Sequence, residues 1–530
     1  MHVHVPLLPM TTALNTPDSK TSWSPRLWGT LLVLCAAMFL DALDVSMVGV
    51  SLPSIAADLD LSTASLQWIV SGYILGYGGL LMLGGRAADL LGRRRVFLIA
   101  LAVFAAASLL GGLVDSGPLL IASRFIKGLS AAFTAPAGLS IITTTFPEGP
   151  QRNRALSIYT TCAATGFSMG LVLSGLLTQF SWRWTMLMPA PIALIALFVG
   201  MKLIPRSTRD DAKHGYDLPG AITGTLTMLL LVFTVVQAPE AGWGSPRTLL
   251  SFLAVVALFS LFIRIEKRSA SPLIRLGVLR SGPQIRAQLG GAVFFGSYVG
   301  FQFIVVQYMQ SLLGWSALQT ALAFLPAGLL VALSSTKIGD VVDRYGTPRI
   351  VAAGFLALVI GYALFLRIGL DPSYAGVILP SMLLLGAACA LAIPSLNIQA
   401  TNGVHDDEQG MVSGLLNTSF QVGGALFLAV VTAVITAGGE SVGAGASPQQ
   451  MLDSYRPGLI VVTGIAVVGL LITATGLRTR RPSESLVLRA SSADPAGVRK
   501  EAAEPVAVPG QVAEPVAVGE QAAGPVAVRD

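Results

Sequence analysis

Histidine and cysteine are scarce in this 530-residue chain, with four of the first and three of the second. His2, His4, His214 and His405 all fall in the tails or in predicted loops. Cys35, Cys162 and Cys389 stand singly inside apolar runs. None of these has the paired spacing that zinc, an iron-sulfur cluster or a disulfide framework requires, so a resident metal is not expected. A Gly-x-x-x-x-Gly-Lys-Ser/Thr loop is also missing, which leaves nothing to cradle the phosphates of ATP. Charge is scarce too: 12% of residues are charged and 53% hydrophobic, against about 25% charged in soluble domains. A soluble globule has no surface to make from such a composition. No cofactor and no enzymatic constellation is expected, and any uphill work must draw on an ion gradient.

What the chain has instead is long apolar runs separated by short polar loops. A bilayer core takes about 20 apolar residues per helical crossing, and runs of that length recur about fourteen times between residues 27 and 477. Barrel strands would be about half as long, so the fold class is all-α, a polytopic membrane protein. The 34 Lys and Arg test its orientation. With the amino terminus inside, four lie in outer loops (Arg183, Arg247, Arg367, Arg456), two lie well inside a span, and the remaining 28 are cytoplasmic. That asymmetry is what positive-inside retention produces, and it places both termini in the cytoplasm. It also accounts for the net charge of +6, so nucleic acid is not an expected partner.

The first 26 residues have no apolar core before Leu27, which makes the first span an uncleaved anchor. After Arg481 the chain carries a decapeptide repeat, Pro-Val-Ala-Val following Glu504, Glu514 and Gly524. It is too short and proline-rich to build a core and reads as disordered.

A second repeat lies within the spans. Gly85-Arg-Ala-Ala-Asp89-Leu-Leu-Gly92-Arg93-Arg94-Arg95 follows the second span, and Gly339-Asp-Val-Val-Asp343-Arg344-Tyr-Gly346 follows the tenth. The Gly-x3-Asp-x2-Gly spacing is the same in both. An Arg triplet alone is also what a positive-inside anchor looks like; the matched copy favours a structural repeat. If the loop follows the second helix of each repeat, the second unit starts at span 9. The expected organisation is a cytoplasmic tail (1–26), a six-helix bundle (27–204), a two-helix insertion with its linkers (205–286), a second six-helix bundle (287–477) and a disordered tail (478–530). Parallel halves with a site between them at mid-membrane are the plan of a secondary transporter.

Four ionisable side chains fall well within the spans: Asp41 and Asp44 in span 1, Arg124 and Lys127 in span 4. Each costs about 2.5 to 3.5 kcal/mol at a helix centre, so such groups face a cavity or bundle interior and pair. Three-residue spacing puts each pair on one helix face, and the rise per residue brings Asp44 and Arg124 to similar depth. A buried carboxylate takes a proton more readily away from a cation than beside one. A motion separating Asp44 from Arg124 therefore makes Asp44, assisted by Asp41, a proton-coupling group. A static charge cluster that holds spans 1 and 4 together is the competing reading.

These residues carry a resemblance. The loops at Gly85–Arg95 and Gly339–Gly346, together with Leu43-Asp44-Val45-Ser46-Met47-Val48-Gly49-Val50-Ser51-Leu52-Pro53, Trp182-Arg183-Trp184 and Tyr308-Met309-Gln310, resemble landmarks of the 14-span drug:proton antiporters of the major facilitator superfamily. The resemblance covers residues 27–477 and implies two pseudo-symmetric six-helix bundles plus two extra central helices. It implies efflux of drugs or antibiotics in exchange for protons, in a bacterial cytoplasmic membrane. The two glycine loops take from it the role of a cytoplasmic gate. Ser46 and Gly49 depart from the usual Thr and Asn, and Lys127 stands where the family pattern Arg-x-x-Gln-Gly has Gln. The antiporter signature of span 5 keeps Gly166, Gly170 and Gly175 but has Phe167 and Leu171 at the expected prolines.

For the substrate, Trp68, Tyr73, Phe133, Gln302, Phe303, Gln307 and Tyr308 offer aromatic walls with a few polar groups, suited to a small amphipathic molecule. Each aromatic also has a reading as lipid-facing packing. Asn397, Asn402, Asn417 and Gln421 either line a polar path or bond between helices. The expected protein works as a monomer with protons, an amphipathic small molecule and the bilayer as its partners. A proton-coupled importer of a small metabolite, and a non-transporting receptor or scaffold on the same fold, remain open alternatives.

Overall fold

Apolar runs bounded by serine and proline become helices with recognisable starts. Ser24 accepts a hydrogen bond from the Leu27 amide (3.3 Å) with Pro25 opening the helix behind it. Ser447 forms a full capping box with Gln450 ahead of Pro448. In both cases the serine oxygen satisfies an orphan amide, and proline occupies a first-turn position where its missing N–H has no partner to lose. The structure is a computed structural model that describes residues 23–147, 150–205, 218–269, 281–334, 338–402, 404, 406–439 and 447–478. The repeat-bearing tail and the first 22 residues lie outside the described residues.

The helices in chain order are α1 (Pro25–Leu59), α2 (Thr63–Leu91), α3 (Arg93–Leu113), α4 (Gly117–Thr145), α5 (Pro150–Thr178), α6 (Arg183–Leu187), α7 (Pro189–Leu203), α8 (Leu218–Ala241), α9 (Pro246–Arg268), α10 (Gly282–Gln307), α11 (Ala317–Ser334), α12 (Ile338–Tyr345), α13 (Thr347–Phe365), α14 (Leu379–Thr401), α15 (Asp406–Gly439) and α16 (Pro448–Ala474). Short π-helical turns at Tyr308–Leu312 and Tyr374–Ile378 adjoin α10 and α14. Among the described residues thirteen segments are long and apolar enough to cross a membrane. With the 29-residue α2, which packs along α4, the bundle has the fourteen crossings read from the sequence. The protein is a polytopic all-α membrane protein.

Two details go beyond the sequence expectation. The sixth span, Arg183–Leu203, runs through Met188 at helical φ and ψ (−58°, −37°), and only its hydrogen-bond ladder is interrupted between α6 and α7, because Pro189 lacks the amide that would continue it. The first glycine loop is scarcely a loop, since α2 runs on through Gly85 and Asp89 to Leu91. Gly92 alone makes the turn into α3.

Packing repeats across the two halves. α1 packs on α5 and α7, α2 on α4, and α3 on α4 and α7; correspondingly α10 packs on α15 and α16, α11 on α14, and α13 on α14 and α16. Glycines at matching places let backbones touch. A Cβ on Gly166 would sit 2.4 Å from Phe39 O in α1, and one on Gly423 would sit 2.0 Å from Ala292 O in α10. Gly128 in α4 and Gly386 in α14 do the same against Tyr73 O (2.1 Å) and Ala327 O (2.6 Å). Such small-residue contacts drive helix association where lipid offers no hydrophobic gradient. The halves join along α5–α11 and α2–α15. α8 covers the α2–α15 seam and α9 packs on α8, with Leu249, Leu250, Leu253 and Val256 exposed. The two extra helices are central in sequence and lie at the side of the bundle in space.

Candidate functional site

Close approach of α2 and α4 builds the charged site. Gly76, Gly84 and Gly128 bring the two backbones together, which turns Arg124 and Lys127 inward toward α1. Asp44 is 0% exposed and takes both cations: Arg124 Nη1 donates to Oδ2, and Lys127 Nζ to Oδ1. Arg124 and Lys127 are 2% and 0% exposed, so water screens none of the three. The Arg124 Nε also donates to Ile69 O (3.3 Å). Its guanidinium lies 4.8 Å from the centre of the Tyr73 ring, and Lys127 Nζ lies 5.2 Å from that of Phe104. Each cation thus has an aromatic face as well as a carboxylate oxygen.

Asp41 does not join this pair of contacts. One turn away, its Oδ2 accepts from the Thr134 hydroxyl (3.2 Å). The two-against-two set suggested by spacing is therefore one acid between two bases, with the second acid held by α4 through a neutral donor. Thr134 lies ten residues beyond Arg124 on the same helix, and no charge or motif marked it in the sequence.

Of this cluster, Arg124 borders a cavity of about 70 Å³ between the halves. Its walls include Val45, Val48, Gly49 and Leu52 of α1, spaced i, i+3, i+4, i+7. Tyr73 of α2, Arg124 of α4 and Gln421 of α15 also line it, as does a stripe of α10 made of Phe295, Val299, Gln302 and Phe303. The helical period that finds these faces was legible; which face turns inward was not. Of the expected pocket residues, Tyr73, Gln302 and Phe303 line it, and four do not. Trp68 packs at a tilt against Phe233 of α8 (centroids 5.8 Å apart, planes at 50°), and Phe133 packs into the core of α1, α3, α4 and α5. Tyr308 donates its hydroxyl to Gly369 O (2.6 Å) and sits against Phe365 in the second half. Gln307, at the last position of α10, is absent from the walls. Aromatic composition alone does not tell a pocket wall from a helix seam.

The glycine loops adopt matching turns. Gly92 has φ 91° and Gly346 φ 82°, a region essentially closed to residues with a Cβ. Gly85 and Gly339 are different: a Cβ on Gly85 would meet only Pro136 Cβ at 3.9 Å, and one on Gly339 nothing within 4 Å. Arg94 donates to Met201 O at the end of α7, a contact inside the first half. Arg344 lies over the neighbouring Tyr345 ring (5.4 Å), and Arg93 opens α3. The side chains of Asp89 and Asp343, and those of the acidic run at His405–Glu408, lie outside the described residues.

The span 5 glycines divide their work. Gly166 and Gly170 face α1; a Cβ on Gly170 would lie 2.1 Å from Ser46 Oγ. Gly175 faces the other half, where a Cβ would meet Ala321 Cβ at 2.7 Å. Near that same end, Gln310 donates to Val50 O (2.8 Å) and ties α1 to the turn after α10. At mid-depth the Ser168 hydroxyl meets Gly328 O (3.4 Å). These contacts close the halves from the middle to the end that carries the α1–α2 turn. At that end Arg183 bridges Asp58 (2.5 Å) and Asp115, and the Trp182 indole donates to Asp58 (2.9 Å). The Trp-Arg-Trp landmark is thus a clamp within the first half.

Comparison with known proteins agrees with this architecture. Residues 34–428 match the Major Facilitator Superfamily. The chain is 35% identical over 460 residues to the puromycin resistance protein pur8 of Streptomyces alboniger, a match covering 85% of this chain and 90% of that one. It is 37% identical over 463 residues to the cephamycin export protein CmcT of Amycolatopsis lactamdurans, covering 86% and 92%. A solved bacterial homolog of the human lysosomal transporter Spinster, inward-facing and occupied, superposes with a TM-score of 0.61 at 16% identity over 87% of this chain and 98% of that one. At that identity the likeness speaks to fold.

Proposed function

Because the chain belongs to the Major Facilitator Superfamily, we propose that it exports an amphipathic drug or antibiotic across a bacterial cytoplasmic membrane in exchange for protons. The observation that carries the reading is the buried Asp44–Arg124–Lys127 cluster, whose Arg124 lines the cavity between the two halves. Drug-resistance and export relatives of similar length support the direction and the substrate type. The moving bodies are the six-helix bundles at 27–204 and 287–477, with the two extra helices of 205–286 carried at the side, against the α2–α15 seam. Both termini are cytoplasmic, in keeping with the arginine distribution.

In this orientation the Gln310–Val50 and Gly175–Ala321 contacts close the external side. A cavity of about 70 Å³ is far below the roughly 300 to 1,000 Å³ that drug-sized ligands occupy, so the halves must part to admit one. Opening moves α10 and α15 away from α1, α2 and α4. Rearrangement of α1 against α4 separates Asp44 from one or both cations, and the freed carboxylate takes a proton. Asp41, held by Thr134 one turn away, receives or passes that proton. Return of the cations expels it on the other side, and the turns at Gly92 and Gly346 serve as pivots of the cytoplasmic gate.

Everted, respiring membrane vesicles test the proposal. Adding a transported compound should collapse the interior-acid pH gradient in wild type and not in Asp44→Asn. A gradient that no antibiotic or dye perturbs, or accumulation driven in the import direction, would overturn export by antiport.

A further inference from the structure

The cavity lining is charged with one sign. Arg124 is the single formally charged residue among its walls, while the two nearby carboxylates are turned away: Asp44 is fully buried between its cations and Asp41 is held by Thr134. The formal charge that a ligand meets at the wall is therefore the Arg124 guanidinium. Desolvating a second positive charge against such a wall is unfavourable, because repulsion is not screened there.

The opposite wall offers a donor without a partner. Gln302 reaches from α10 toward α1, and its Nε2 is buried with no hydrogen-bond partner in the described structure. It can reach that far because position 49 is glycine: a Cβ there would lie 3.2 Å from the Gln302 Nε2. An orphan buried N–H is costly unless something accepts from it. Apart from Gln421 of α15, the remaining walls are apolar or aromatic, Val45, Val48, Val70, Ile74, Phe295 and Phe303 among them.

From this juxtaposition we infer that the site selects uncharged, hydrogen-bond-accepting amphipathic compounds and rejects lipophilic cations, with Gln302 donating to a carbonyl-type oxygen of the substrate beside Gly49. The inference rests on the export reading for its setting and on the cavity for its content. The apolar body of the compound lies against the α1 and α10 stripes, and its acceptor end points to the Gln302 amide and the Arg124 side of the cavity.

Equilibrium binding to the purified full-length protein in lipid nanodiscs tests selectivity without any transport step. The probes are radiolabelled uncharged, carbonyl-bearing antibiotics, chloramphenicol among them, and the cations tetraphenylphosphonium and ethidium. Uncharged probes should bind at least tenfold more tightly than either cation. Gln302→Leu, of similar volume, should weaken their binding about tenfold, as loss of one hydrogen bond in a dry site does. Gln302→Glu should shift preference toward the cations, a readout that a merely structural role for Gln302 would not move. Thermal midpoints of both variants establish that they are folded. Cations binding as tightly as uncharged probes, no uncharged probe binding at all, or indifference to both Gln302 variants would each overturn the inference. Proton release in vesicles decides export separately: a cation that is bound and drives release sinks the selectivity and leaves export standing.

Discussion

Replacing Asp44 with Asn leaves Arg124 and Lys127 facing each other at 2% and 0% exposure with the carboxylate they both touch removed. Removing one partner of a buried ion pair destabilises by about 3 to 5 kcal/mol, mostly through the stranded charge. Here two charges are stranded, so the upper part of that range applies. Lys127→Gln should be milder, at about 1.5 to 3 kcal/mol, because one charge-assisted hydrogen bond goes while Asp44 keeps Arg124. The double variant Asp44→Asn/Lys127→Gln strands one cation instead of two. It should therefore be less destabilised than the sum of the singles, with an interaction energy of about 1 to 3 kcal/mol. Thermal unfolding of the four proteins in one detergent gives the cycle, and substrate-induced proton release in everted vesicles gives function. Both variants that carry Asp44→Asn should lose release, including the double variant whose fold is partly restored. Additive stabilities would refute the shared-carboxylate geometry. Retained release in a folded Asp44→Asn variant would refute Asp44 as the coupling group and leave the cluster as a static brace.

Other substitutions separate packing from turning. Gly92→Ala and Gly346→Ala should each cost about 1 to 3 kcal/mol, since both turns need a φ near +82° to +91°; unchanged unfolding midpoints would contradict those turns. Gly170→Val drives a branched side chain into Ser46 and Leu43 of α1 and should lower folded yield sharply, by overpacking of about 1 to 3 kcal/mol or more. Gly339→Ala, with open space around it, should be neutral in the same expression and unfolding assay. Arg183→Ala breaks a clamp whose acids are 47% and 82% exposed, so its effect should stay within about 1 kcal/mol and shrink further in high salt.

Much of this protein follows from the sequence alone. Apolar runs of bilayer length fix an all-helical membrane fold, because in lipid the backbone has no other way to satisfy itself. Two copies of one glycine-spaced turn mark the internal repeat, since a backbone at positive φ calls for glycine at the same place in each. Asp44 and Arg124 announce themselves because a charge in an apolar run is too costly to leave unpaired. These are local facts, each carried by residue type and spacing.

Tertiary packing decided the rest. That Asp44 takes both cations while Asp41 turns to Thr134 depends on how α1 and α4 cross, which Gly76, Gly84 and Gly128 set through α2. Tyr73 and Trp68 stand five residues apart on one helix, yet one lines the cavity and the other meets α8. An all-apolar helix carries no amphipathic signal to say which face is inward. Gln302 and Gly49, more than 250 residues apart in the chain, become one feature only when the halves meet.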